Sequence, residues 1–385
     1  MGATTIIDTK ARSATRRPRG RPWWRHPLTF LLVIALAIPL IDLALPDALD
    51  LGDPMRTIFL FAILGLGLNI ITGFTGLLNL GVAAFMAIGV YVYAIATVEI
   101  YPFQLGFVGG TVVATAAGAL AGFFLGAPTL RLRGDYLAIV TLGFGEIAQD
   151  VLKNLDSITK GTQGINPLPP PSAPAFLFGG YTFGAAYQPW YYLYLAILAL
   201  AVIVSRNLER SRVGRAWISI REDELASGCM GINPVGRKLT AFAAGAAFCS
   251  LAGALWASQL GSTGEPANYD FSISILALCI VIVGGMGSIP GVLVGALVMI
   301  GLNSIVLVKL SDWMQSRGWA SSANVLSTPT NWKFMLFGLA LVLMMRFRPE
   351  GLLPSGRVKA ELHHDEEIDD EPAGDSTPAA RGAAS

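Results

Sequence analysis

Residues 239–260 read LTAFAAGAAFCSLAGALWASQL, a stretch with no Asp, Glu, Lys, Arg or His. A helix needs about 20 apolar residues to cross the hydrocarbon core of a bilayer, and this stretch has that length. It has counterparts along the chain at Leu28–Leu45, Ile58–Ile71, Val82–Val98, Leu105–Leu125, Tyr136–Val151, Trp190–Val204, Ile273–Val283, Val292–Val308 and Trp332–Met345. Any one of the shorter blocks would also suit a helix buried in a soluble core. Ten together do not, because 53% of the chain is hydrophobic and 14% charged, against roughly 25% charged in an ordinary soluble protein. A soluble fold of 385 residues would lack the polar side chains to cover its surface. The reading is an all-α, polytopic integral membrane helix bundle with about ten transmembrane helices.

The charges orient the spans. With the N-terminus in the cytoplasm and sides alternating, cytoplasmic segments hold most of the Lys and Arg, as the positive-inside rule requires. Seven lie in the N-terminal arm, Arg131 and Arg133 in a short loop, seven from Arg206 to Lys238, and five after the last span. Outer segments hold only Arg56, Lys153, Lys160, Lys309, Arg317 and Lys333. Gaining or losing one span would put the C-terminal arginines outside, so ten spans with both termini cytoplasmic is the assignment. Trp23, Trp24, Trp190, Tyr191, Tyr192 and Trp332 fall near span ends, where an interfacial aromatic belt lies.

Outside the spans, residues 1–26 form a basic cytoplasmic arm that runs into the first block without an A-x-A-like cleavage site. The membrane domain covers 27–350, with outer loops at 155–189 (rich in proline) and 309–332. Residues 351–385 form a cytoplasmic tail. Its acidic run and Pro-, Gly-, Ala- and Ser-rich end read as disordered, and His363 and His364 belong to that charged run rather than to a metal site. Cys229, Cys249 and Cys279 have neither paired nor metal-ligand spacing. No metal, cofactor or nucleic-acid partner is expected.

Glycine clusters where the spans pack or break. Gly118, Gly122 and Gly126 recur every fourth residue, and Gly284, Gly285, Gly287 and Gly291 separate two spans. Small residues let membrane helices approach closely, and this alone accounts for most of them. Interrupted, glycine-lined helices also mark transport pathways, since irregular backbone survives only where protein or a cavity surrounds it. Gly76, Gly143, Gly145, Gly284 and Gly285 are therefore pathway candidates. So is Glu146, near the middle of the 136–151 block, with Asp150 one helical turn further on. A carboxylate at that depth either faces a pathway or is hydrogen-bonded between helices, and both readings stand.

The cytoplasmic loop 205–238 is long and charged. Ile218–Met230 predicts one short helix starting near Glu222, Asp223 and Glu224, with Gly231 past its end and Asn233-Pro234 as a stop. Such a helix offers a rigid knob to a partner protein; a plain surface loop is the simpler reading of these residues alone. The chain has no G-x-x-x-x-G-K-[ST] phosphate loop, no H-E-x-x-H pair and no G-x-S-x-G turn. It is not read as an enzyme. If ATP energises it, the ATPase is another chain.

Several stretches resemble the LivM-type permeases of branched-chain amino acid ABC importers: LNIITGFTGLLNLGVAAFMAIGVYVYA (68–94), PTLRLRGDYLAIVTLGFGEI (128–147), ITKGTQGI (158–165), SRVGRAWISIREDELASGCMGINPVGRKLTAFAAGAAFCSLAGALWA (211–257), GGMGSIPGVLVGAL (284–297) and RFRPEGLL (346–353). The resemblance implies a second, LivH-type permease chain, two cytoplasmic ATPase subunits, an extracytoplasmic amino-acid-binding protein and the bacterial cytoplasmic membrane. It also implies that residues 222–234 are the coupling motif that docks the ATPase, carried by Glu222, Glu224, Ala226 and Gly231, with Asp223 and Asn233 in the same stretch. Relatives often have alanines where this chain has Ser227, Gly228 and Cys229. Permeases for urea or short-chain amides share the glycine and Arg-Glu-Asp stretches and remain an alternative. An ion-coupled secondary transporter is another, although it would need no docking loop and more charge within the membrane.

Overall fold

The computed structural model describes residues 52–129, 135–171, 187–317 and 329–354. The arm 1–26, the first apolar block at 28–45, the Arg131–Arg133 pair and the tail beyond 354 lie outside the described residues. So do 172–186 and 318–328, within the two expected outer loops.

The described residues are helical, with no strand among them. The elements are α1 (Gly52–Leu68), α2 (Val82–Thr97), α3 (Gly106–Thr129), α4 (Asp135–Asn154), α5 (Asp156–Thr159) and α6 (Tyr187–Arg210). They continue as α7 (Arg212–Glu222), α8 (Glu224–Cys229), α9 (Pro234–Leu260), α10 (Phe271–Gly284), α11 (Ile289–Gly301), α12 (Leu307–Ser316) and α13 (Lys333–Phe347). Two π-helical turns interrupt the series: Asn69–Gly73 extends α1, and Leu302–Val306 joins α11 to α12.

Six of these segments are long and apolar enough to cross a membrane: Pro54–Gly73, Gly106–Pro128, Pro189–Arg210, Pro234–Leu260, Pro266–Gly284 and Ile289–Ser316. The shorter α2 is equally apolar. Their burial differs sharply. The Pro54–Gly73 window is 89% buried, whereas Gly106–Pro128 is 22% buried and turns Val112, Leu120, Phe123 and Phe124 outward. Large apolar side chains on the outside of a polar-poor bundle are the mark of a lipid-facing surface.

The centre of the bundle is α9 against α1, α2 and α3. The sequence starts α9 firmly. Asn233 is its N-cap, its Oδ1 accepting from the Gly236 amide at 3.2 Å, and Pro234 occupies the first turn. This corrects the reading of Asn233-Pro234 as a stop: the pair starts the next helix. Close approach then depends on absent side chains. A Cβ on Gly118 would stand 2.2 Å from Ser250 Cβ, and one on Gly253 would stand 2.1 Å from the Met86 carbonyl oxygen. Ser250 Oγ donates to the Ala114 carbonyl at 2.7 Å, tying α9 to α3, and Tyr194 Oη donates to the Leu255 carbonyl at 2.7 Å, tying α6 to α9. Cys249 and Cys279 are buried free thiols, and Cys229 is exposed.

Helix ends differ from the sequence expectation in two places. The 292–308 block is the middle of a 28-residue segment from Ile289 to Ser316, so the first residues of the expected 309–332 loop are helical. The expected loop 205–238 is helical almost throughout, because α6 runs to Arg210 and α7, α8 and α9 follow with single- or few-residue breaks.

Gly253→Leu tests the packing centre. Overpacking a full core costs typically ~1–3 kcal/mol, so detergent-purified G253L is expected to unfold at a clearly lower temperature than the parent. A thermal scan with size-exclusion recovery reads the change.

Candidate functional site

The α7–α8 hairpin is built by short-range capping. Ser211 caps α7, its Oγ accepting from the Gly214 amide at 3.1 Å. Trp217 is fully buried and donates Nε1–H to the Arg237 carbonyl at 2.8 Å, which seats α7 on the start of α9. The single helix expected over 218–230 is broken at Asp223, whose backbone is extended. The Asp223 carboxylate accepts from the amides of Leu225 (2.8 Å) and Ala226 (2.9 Å) and so starts α8. Asp competes with helical backbone bonding in this way, which is why it interrupts one helix and caps the next.

Two further contacts hold α8. Ser219 and Ser227 hydroxyls lie 2.6 Å apart, and Glu224 Oε1 meets Lys238 Nζ at 2.7 Å. The Lys238 side chain is 9% exposed, so its ammonium depends on Glu224 for compensation. Gly231 closes α8 at φ +84°, where a side chain would strain the backbone. Glu222, Asp223, Glu224, Ala226 and Gly231 all lie exposed on this one tip, with Asn233 at the start of α9. Leu225 and Met230 are 80% and 85% exposed beside them, an apolar pair standing out on a polar tip.

The other sequence candidates fall in two separate places. Glu146, Gly143 and Gly145 lie on α4. Glu146 is exposed among Ile139, Val140, Ile147 and Val151, and positions next to Gly143 and Gly145 are open space. Asp150, also exposed, is 3.7 Å from Lys153. The opposite face of α4 is anchored: Gln149, which the sequence did not single out, donates Nε2–H to the carbonyls of Pro266 (3.2 Å) and Ala267 (3.1 Å).

Gly76, Gly284 and Gly285 lie instead where several helix ends meet. Gly76 has φ +71° and lies against the Arg221 side chain. Arg221 Nη1–H donates to the Gly73 carbonyl, and the Gly287 amide donates to Asn69 Oδ1 at 2.8 Å. Gly285, at φ +117°, turns α10 toward α11. The chain after α13 pairs with this turn: the Leu352 amide donates to the Val283 carbonyl (2.9 Å) and the Leu353 amide to that of Gly284 (3.0 Å).

At the opposite end, residues 161–168 are stitched to 261–263. The Thr263 amide donates to the Ile165 carbonyl (3.0 Å), the Ile165 amide to Thr263 Oγ1 (2.8 Å) and the Leu168 amide to the Gly261 carbonyl (2.8 Å).

A helix bundle without strands among the described residues, with apolar outward faces and an exposed, capped hairpin at one end, is a multi-pass membrane protein. Residues 53–345 match the family described as "Branched-chain amino acid transport system / permease component", and the chain belongs to that family. Among its relatives, the high-affinity branched-chain amino acid transport system permease protein LivM of Salmonella typhimurium is 39% identical, over 87% of this chain and 76% of its own length. LivM of Escherichia coli is 38% identical over the same shares. The high-affinity branched-chain amino acid transport system permease protein LivH of Escherichia coli is 24% identical over 78% of this chain and 92% of its own length. These relatives are transport permeases, not enzymes. No solved structure matches the chain.

Loss of the Asp223 cap is expected to fray α8. An N-cap Asp→Ala change costs about 1 kcal/mol, so the Leu225 and Ala226 amides of D223A should exchange about fivefold faster by hydrogen–deuterium exchange, with the α9 interior unchanged.

Proposed function

We propose that this chain is the membrane permease subunit of an ATP-binding-cassette importer that moves leucine, isoleucine and valine across the bacterial cytoplasmic membrane. The observation that carries the reading is the kinship with LivM at 39% identity over 87% of the chain. The energy comes from two separate ATPase subunits. An extracytoplasmic binding protein delivers the amino acid, and a second permease of the LivH kind completes the pathway; a LivH relative at 24% identity supports that partner.

In this reading the chain has ten spans with both termini cytoplasmic. The α7–α8 tip is then on the cytoplasmic face, together with the ends at Gly73, Gly285 and Leu353, and the 161–168 and 261–263 stitch is on the outer face. The excess of Lys and Arg in the segments assigned to the cytoplasm supports this orientation. Residues 1–26 and 351–385 are cytoplasmic extensions of the 27–350 membrane domain.

Glu222, Asp223, Glu224, Ala226, Gly231 and Asn233 form the ATPase-coupling motif. The support is their display on one rigid tip beside exposed Leu225 and Met230, which a partner's groove would cover. The pathway runs along α4 against the second permease chain. An ionised carboxylate facing lipid costs ~2.5 kcal/mol or more, so the exposed Glu146 face calls for protein or water across from it. Gly143 and Gly145 leave room there, while Gly76, Gly284 and Gly285 belong to the cytoplasmic end of the pathway. ATP binding draws the ATPases together and moves α8, opening the bundle outward; hydrolysis resets it.

Uptake of labelled leucine, isoleucine, valine and urea in cells with and without the gene tests the substrate. Branched-chain uptake alone is expected to fall; loss of urea uptake alone would move the chain to the urea branch. Glu224→Lys and Gly231→Trp are expected to leave the protein in the membrane while ATP hydrolysis no longer drives uptake, and normal uptake in both would sink the coupling assignment. Glu146→Gln is expected to slow leucine uptake by more than it lowers protein level; equal changes would return Glu146 to a packing role.

A further inference from the structure

Arg221 lies in the last turn of α7, two residues before Asp223 starts α8. Its side chain leaves the hairpin and enters the bundle. The stem crosses Gly76, where a Cβ would stand 3.1 Å from Arg221 Cγ. The guanidinium ends between Gly73, whose carbonyl accepts from Nη1, and Gly287, where a Cβ would stand 3.2 Å from Nη1. Glycines at these three positions leave the notch that the side chain fills.

The chemistry of the notch suits a cation. Gly73 ends the π turn that extends α1, and carbonyls at a helix C-terminus carry partial negative charge. The facing turn is fixed to the same place: the Gly287 amide bonds Asn69 Oδ1, and a Cβ on Gly73 would stand 2.7 Å from the Gly287 nitrogen. Beyond it, the Leu352 and Leu353 amides hold the chain after α13 to the end of α10. The end of α1 and the α10–α11 turn therefore meet at one side chain of the hairpin, and the segment after α13 is bonded to the end of α10. An arginine fits this role better than a lysine, because its planar guanidinium packs against Gly287 while one N–H reaches the Gly73 carbonyl and the stem covers Gly76.

We propose that Arg221 is the positioning residue that transmits movement of α8 to the ends of α1 and α10–α11, a role that rests on the reading of α8 as the ATPase dock. When α8 shifts, the two-residue link carries the shift to Arg221, and Arg221 carries it to Gly73 and Gly287. Without the guanidinium the ends of α1 and α10–α11 lose this link, and the hairpin stays joined to α9 through Trp217 and the Glu224–Lys238 pair.

The test uses the whole complex of both permeases, two ATPases and the binding protein in proteoliposomes, with leucine uptake and ATP hydrolysis measured on the same vesicles. R221M is expected to keep its ATPases and to hydrolyse ATP. It should move about tenfold less leucine per ATP, the change expected of one charge-assisted hydrogen bond. R221K should fall between R221M and the parent. Parental leucine per ATP in R221M would overturn the proposal, as would uptake and hydrolysis falling together in proportion. If R221M does not assemble, R221K decides by the same ratio: a lowered ratio supports the proposal and an unchanged one overturns it. L225D, which puts a charge on the exposed α8 tip, separates the two claims. ATPases that stay bound and active in L225D would remove the docking reading. Lost ATPases in L225D beside normal coupling in R221M would remove Arg221 alone.

Discussion

A hydrocarbon solvent offers no hydrogen bonds, so each backbone amide and carbonyl inside it needs a partner from the protein, at several kcal/mol per failure. The bundle meets this demand easily within its helices and with difficulty where they stop. Residues 76–81 leave helical geometry between α1 and α2, and side chains replace the missing ladder. Thr72 Oγ1 donates to the Leu77 carbonyl, the Leu80 amide finds Thr141 Oγ1, and the Gly81 amide finds Asn79 Oδ1. The Ala83 amide, unpaired in the first turn of α2, finds Ser274 Oγ on α10. Small polar residues at Thr72, Asn79, Thr141 and Ser274 are thus what allows a broken backbone to remain inside the bundle.

The α7–α8 hairpin obeys a different rule. A helix of six residues does not persist by itself, because the cost of the first turn is not recovered over so short a length. The Asp223 cap, the Ser219–Ser227 contact and the Glu224–Lys238 pair supply what length cannot. The outcome is a tip on which Asp223, Glu224 and Ser227 are engaged locally and the apolar Leu225 and Met230 are left outward. That division is costly in a free chain and sensible in one that meets a partner.

Much of this was legible in the sequence, and the reasons for the remainder are physical. Apolar blocks such as 239–260 announce themselves because the bilayer demands length and composition rather than any particular side chain. A short helix at 218–230 was legible from the residues and its docking role from the resemblance, but its break was not: Asp223, the one short-chain acid of the three, caps the second half instead of lying within one helix. The α4 face was hidden for another reason. In water an apolar face points inward, but here Ile139 and Ile147 point out of the bundle beside Glu146, so periodicity gives the face and not its direction. Arg221 and Gln149 act across 148 and 117 residues of chain, distances at which spacing carries no signal.

The helical segment from Ile289 to Ser316, α11 and α12 joined by a π turn, has a geometric consequence. At 28 residues it is about 42 Å long, against a hydrocarbon core of about 30 Å. Tilt alone would need about 45°, outside the usual range for membrane helices. About 20 residues from Ile289 reach Val308, and Lys309, Asp312 and Arg317 follow at the headgroup level and beyond. The last two turns, which carry the polar Lys309, Asp312 and Gln315, are thus preformed helix rather than loop, and a partner meeting them would meet a surface that needs no ordering.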